Sequence, residues 1–213
     1  MESDNCVILG HSFVKGLVDH YDHLFKDHHP AAFERYVAHD LKVSEHVGGV
    51  FLFGKSGATV QSFATPPSLL LKNINPRICL LEIGTNDLVA GIQPDILAGQ
   101  LLDLAKFCRD SFGSVVGILS VLPRDENLQQ LTPLAFREVM HALEIHLKQL
   151  VSSEEKIFYH KHKGFYEVEH EGKKLELEVK TWSKDGIHPN MPQGRQKYKN
   201  SLRNAICKAL KLI

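Results

Sequence analysis

The sequence predicts an α/β fold, a parallel sheet of five strands covered by helices on both faces, and three observations predict it. Short apolar runs end abruptly at glycine or polar turns. Segments with apolar residues at steps of three and four follow them. The two kinds alternate along the chain, as parallel strands require, because each must be reached by a crossover.

The first strand is the apolar run Cys6, Val7, Ile8 and Leu9, closed by Gly10. Four apolar residues in a row read as a strand buried on both faces. A helical pattern begins at once, with Phe13, Val14, Leu17, Val18, Tyr21, Leu24 and Phe25 on one side. Ser12 therefore sits on the tight turn between a buried strand and a helix N-terminus. Residues 31–46, after His28, His29 and Pro30, are polar and mixed and predict no element. Residues 47–53 predict the second strand, followed by a glycine-rich loop, Gly54 to Thr59. That loop lacks the G-x-x-x-x-G-K-[ST] spacing of a phosphate cradle. Short helical pieces around Val60 and Phe63 and around Leu69 to Leu71 precede Asn75 and Pro76.

Residues 77–83 predict the third strand, stopped by Gly84, Thr85, Asn86 and Asp87. Pro94 opens a helix with Leu97, Leu101, Leu104 and Ala105 on its apolar side, as proline does at a first helical turn. Residues 114–121 are the fourth strand and lead into a polar loop with Arg124. Pro133 starts the next helix, and residues 156–159 are a short fifth strand. The expected strand order is 2-1-3-4-5, the flavodoxin-like order. Residues 165–179 alternate apolar and charged side chains around Glu171, Gly172 and Lys173, and predict an inserted β-hairpin with opposite charges across it. A final helix runs from about Pro192 to Leu212.

At 213 residues the chain predicts one domain, 1–213, with enough length for a single large core. Lysine plus arginine equal aspartate plus glutamate at 25 each, which argues against a nucleic-acid surface over the whole domain. Arg195, Lys197, Lys199, Arg203, Lys208 and Lys211 give the last helix a basic tilt that reads as a solvated face, so no nucleic-acid partner is expected. The four cysteines are far apart, without a C-x-x-C pair, and Cys6 and Cys79 read as small buried hydrophobes. No apolar run precedes the first strand and no segment has transmembrane length, so a cytoplasmic location and no membrane partner are expected. The thirteen histidines include His160 and His162, spaced as a pair, but no H-E-x-x-H or mixed Cys/His cluster accompanies them. They read as surface residues, and no metal is expected.

Four loops then stand out, carrying Ser12, Gly57, Asn86, and Asp185 with His188. In a parallel sheet the loops after the strands share one edge, where ligands bind. The set holds the parts for acyl transfer: a hydroxyl nucleophile, an imidazole base, a carboxylate to orient it, and donors for an oxyanion. Asp185 and His188 are three apart, neighbours on one helical turn. Gly57 has no Cβ, so its N–H can approach a substrate oxygen closely. Each residue alone has a plainer use. Serine often caps a helix, Asn86 and Asp87 suit the next helix start, and Gly57 suits a turn.

Taken together, these loops resemble the four blocks of the SGNH, or GDSL-type, hydrolase family. Gly10-His11-Ser12 resembles its first block, Gly57 within Ser56-Gly57-Ala58-Thr59 its second, Gly84-Thr85-Asn86-Asp87 its third, and Asp185-Gly186-Ile187-His188 its last. The resemblance implies a three-layer α/β/α sandwich, a Ser12–His188–Asp185 triad, and an oxyanion hole from Ser12, Gly57 and Asn86. It implies a serine esterase without cofactor. One position departs from the family pattern, which usually has aspartate immediately before the serine. Here it is His11, read as a substrate contact or as a change in the bonds that stiffen the turn.

Arg124, on the loop after the fourth strand, is the other candidate substrate-binding residue. In the absence of a long apolar lid, short acyl groups such as acetyl are expected, on a small molecule or a carbohydrate. Two other readings fit the same residues: a silent binding module that keeps the fold, and an acyltransferase that uses an alcohol instead of water.

Overall fold

Strand β1 (Asn5–Gly10) is buried along almost its whole length and forms the centre of the molecule. The computed structural model describes residues 4–26, 30–64, 68–123, 133–165, 169–170, 173–174, 188–189 and 192–213. β1 pairs in parallel with β2 (Gly49–Gly54) on one side and with β3 (Ile78–Glu82) on the other, with Val7 opposite both Phe51 and Cys79. β4 (Val115–Leu119) and β5 (Ile157–His160) extend the sheet beyond β3, giving the order β2-β1-β3-β4-β5. This is the expected order.

Alternation along β1 divides the core in two, because successive strand side chains point to opposite faces. Cys6 and Ile8 pack with α1 (Ser12–Leu24), α2 (Pro30–Asp40) and the last helix, through residues such as Val14, Leu17, Val37, Leu202 and Ile206. Val7 and Leu9 pack on the other face with Leu97, Leu101, Phe136 and Leu143 from two long helices. The result is the three-layer α/β/α arrangement.

Helices follow the strands as the pattern requires. α3 (Gln61–Ala64) and α4 (Ser68–Ile74) are short, and α5 (Thr85–Val89) follows β3 directly. α6 (Pro94–Phe112) has proline in its first turn and ends at Gly113, whose φ of 67° is the left-handed closure glycine permits. α7 (Pro133–Val151) precedes β5, and α8 (Gln193–Leu210) closes the chain. No helix among the described residues is long and apolar enough to cross a membrane.

Helix α2 lies where the sequence predicted no element. Val37 and Ala38 are buried against the core, and the Tyr21 hydroxyl donates to the Asp40 carboxylate at 2.5 Å. Tertiary contact holds this helix, and a propensity or periodicity argument misses such a segment. The expected hairpin appears as β6 (Glu169–His170) and β7 (Lys173–Lys174), antiparallel, with Glu169 in register with Lys174. The remainder of residues 165–179, apart from Phe165, lies outside the described residues.

Two close approaches set the position of α1. A Cβ on Gly54 would lie 2.0 Å from the backbone nitrogen of Lys15, and one on Gly10 would lie 2.7 Å from the carbonyl oxygen of Glu82. Only glycine lets the start of α1 settle this close onto the ends of β2 and β3. Ser12 is thereby brought to the carboxyl edge of the sheet.

Candidate active site

Ser12 is the first residue of α1, and His11 takes the cap position with no side-chain cap bond. Ser12 therefore does not serve as the cap, the plainer use its position allowed. Its hydroxyl instead lies 3.0 Å from Nε2 of His188. Both side chains are half-buried. The Phe13 ring meets the His188 ring edge-on at 5.5 Å between centroids, which limits where the imidazole can turn.

The turn beneath is pinned from both sides. The His11 N–H donates to the Glu82 carbonyl at 3.3 Å, and the Lys55 N–H donates to the Gly10 carbonyl at 3.0 Å. These bonds continue the pairing of β1 past its end, so the loops after β1, β2 and β3 meet at one edge. Gly57 lies on the second loop with φ of 70°, and a Cβ there would meet nothing within 4 Å. Its backbone conformation, not crowding, makes glycine fit. Asn86, on the third loop, donates from Nδ2 to the Ala58 carbonyl at 2.8 Å. An amide nitrogen carries two N–H groups, so this bond orients the group and places it next to the Gly57 loop.

Asp87 extends the same tie. Its buried carboxylate accepts the Val60 N–H at 3.1 Å, clasping the loop that carries Gly57. Burial raises its pKa, and the backbone bond from Val60 works against that rise. The sequence offered Asp87 only as part of a helix start.

His11 is 1% exposed. Its Nε2 lies 3.1 Å from the Thr85 hydroxyl, and its ring meets Phe13 edge-on at 4.5 Å between centroids. Of the two roles the sequence offered, burial favours the stiffening of the turn over a substrate contact. Asp185 and Arg124 lie outside the described residues, so the carboxylate of the expected triad and the other candidate contact have no place in this geometry.

Beneath the edge lies a polar chain that the sequence did not announce. His162, fully buried, sits with Nε2 2.7 Å from the carboxylate of Glu82, itself 1% exposed, and Nδ1 2.8 Å from the Ser201 hydroxyl. His160 Nε2 lies 3.2 Å from the same hydroxyl. Reading these histidines as surface residues was wrong for His162, whose partners come from β3 and α8. The available signal was Glu82, a carboxylate ending an otherwise apolar strand, because a buried charge requires a partner.

A cavity of about 170 Å³ opens beside the Ser12–His188 pair, lined by Phe13, Gly16, Leu17, Pro189, Arg195 and Tyr198. The arrangement can do what acyl transfer needs: present a hydroxyl to an imidazole at the edge of a sheet, with oriented donors on the two neighbouring loops.

No protein-family model matches the chain, and no curated protein matches it. Solved structures do. A GDSL-like lipase from Bacteroides thetaiotaomicron superposes with a TM-score of 0.63 at 21% identity, over 98% of this chain and 88% of that one. A family 3 carbohydrate esterase from Clostridium thermocellum gives 0.65 at 17% identity, over 98% and 97%. The psychrotrophic esterase EstA from Pseudoalteromonas, in a structure inhibited by monoethylphosphonate, gives 0.62 at 17%, over 98% and 99%. Sequence identities this low speak to architecture alone, and the five-stranded α/β/α sandwich of this chain is the SGNH, or GDSL-type, hydrolase fold.

Proposed function

We propose that the protein is a serine esterase that hydrolyses short-chain acyl esters, acetyl esters among them. The observation that carries this reading is the 3.0 Å separation between His188 Nε2 and Ser12 Oγ, a nucleophile and a base within proton-transfer reach. Ser12 attacks the ester carbonyl as His188 takes its proton. The oxyanion is held by the backbone N–H groups of Ser12 and Gly57 and by the Asn86 amide. His188 then gives its proton to the leaving alkoxide, and water repeats the sequence to release the acid. Asp185, three residues before His188, supplies the carboxylate that stabilises the imidazolium.

Hydrolysis of p-nitrophenyl acetate and longer p-nitrophenyl esters by the wild type and by Ser12→Ala tests this. The wild type is expected to turn over the acetate, and the variant to lose that turnover while remaining folded. Equal rates from the two proteins, with no labelling of Ser12 by a fluorophosphonate, would refute the reading in favour of a silent binding module.

A further inference from the structure

Both ring nitrogens of the buried His162 are bonded, and so is its backbone N–H. Nε2 lies 2.7 Å from the Glu82 carboxylate, Nδ1 lies 2.8 Å from the Ser201 hydroxyl, and the N–H donates to Oγ of Ser120 at 2.9 Å. These partners come from the end of β3, from α8 and from the residue after β4. A buried ring tied at both nitrogens cannot turn without leaving polar groups unmet, so its place is fixed by bonds as well as by packing. Stability alone does not call for such a cluster, since apolar side chains of similar volume often serve a fold equally well. What the cluster adds is a fixed geometry, and two paths carry it to the Ser12–His188 pair.

The first path is polar. Glu82 holds His162 with its carboxylate and accepts the His11 N–H with its own carbonyl at 3.3 Å. One residue thus joins the ring to the turn that carries Ser12. The second path is aromatic. The His162 ring lies 5.7 Å from that of Tyr198 between centroids, Tyr198 meets Phe13 edge-on at 6.2 Å, and Phe13 meets His188 edge-on at 5.5 Å. Phe13 and Tyr198 are both buried, and closely packed rings pass a displacement on rather than absorb it. The nucleophile is reached by one path and the base by the other.

We propose that His162 is a positioning residue that sets the distance between Ser12 and His188, a proposal that rests on the serine esterase reading. It acts through Glu82 on one side and through Tyr198 and Phe13 on the other. Proton transfer needs the 3.0 Å contact of Ser12 Oγ with His188 Nε2, and a displacement of about 1 Å can cost ~10²-fold in rate. Substrate binding has no such dependence on that contact, so the signature is a loss in kcat at unchanged KM.

The test uses the double variant Glu82→Leu with His162→Leu, which removes both polar groups and leaves no buried charge unpaired. The folded variant, checked by circular dichroism and denaturant titration, is expected to turn over p-nitrophenyl acetate with kcat reduced roughly 10–100-fold and KM unchanged. Glu82→Leu with His162→Phe keeps a ring against Tyr198, so its kcat should lie between that of the first variant and the wild type. Ile206→Val loosens the core beneath α8 while lying outside both paths, and should leave kcat as it is. A purely structural cluster would instead give wild-type kcat in the folded double variant, and that result would overturn the proposal. If the double variant does not fold, Ser201→Ala, which releases Nδ1 alone, is read in the same way.

Failure of the esterase reading is separable, because it appears as acetate turnover that Ser12→Ala retains. The His188 ring then reports the geometry directly by nitrogen NMR. Ser12→Ala gives the signal of Nε2 without its partner, and the first double variant should move the wild-type signal toward it. A signal that stays at its wild-type position would overturn the proposal whatever the esterase assay shows.

Discussion

Nε2 of His11 lies 3.1 Å from the hydroxyl of Thr85, joining the residue before the candidate nucleophile to the residue before Asn86. The nucleophile turn and the turn carrying the amide donor are thereby held by one buried bond. His11→Ala removes the bond and leaves a void among Phe13 and its neighbours. Stability should fall by about 1–3 kcal/mol, measured by denaturant titration. If the bond also positions Ser12, kcat for the acetate should fall more than KM changes. A variant with wild-type stability and kcat would show the tie to be idle.

Asn86 has two tasks in this arrangement, one on Ala58 and one toward the proposed oxyanion. Asn86→Ala should reduce kcat by about 10²–10³, the usual effect of losing one oxyanion donor, with circular dichroism unchanged. Turnover equal to the wild type would remove Asn86 from the oxyanion hole.

The Glu82–His162 pair lies wholly out of solvent. Removing only the imidazole leaves a buried carboxylate without its partner. His162→Ala should therefore cost about 3–5 kcal/mol of folding stability. The double variant Glu82→Leu with His162→Leu, which removes both polar groups, should recover much of that loss. Measuring the single and double variants in the same denaturant checks both statements.

His160 makes stability depend on pH. Burial, followed by its neighbours His162 and Lys208, pushes its pKa down to about 4, while Glu82 pulls it upward. In the unfolded chain an ordinary histidine takes its proton near 6.5. Between those values the unfolded chain holds a proton that the folded protein does not. Stability is thus fully present above about pH 6.5 and declines as the pH falls toward about 4. His160→Gln should flatten that part of the stability curve by one proton, measured by denaturant titrations at several pH values. An unchanged slope would contradict the assignment.

The sheet was legible because its strands are almost purely apolar. The runs at β1, β3 and β4 have no alternative as exposed strands, and the glycines that close β1 and β2 end them sharply. Helix α2 was not legible, since its fit depends on Tyr21 and Asp40 meeting from separate elements. In the site, Ser12 and His188 could be picked out by residue type and place in the chain. The Glu82–His162 pair could not, being 80 residues apart in sequence.

The two-sided burial of β1 also orders how the molecule comes apart. Its amides are flanked by strands on both edges and covered by apolar side chains on both faces, so they can open only when the whole sheet opens. Helix α2, more exposed along much of its length, can fray without disturbing them. In hydrogen exchange, Val7 to Leu9 should therefore be among the last amides to exchange. The residue that carries the candidate nucleophile is mounted on the most persistent part of the fold, and mild warming should loosen the periphery well before it displaces Ser12.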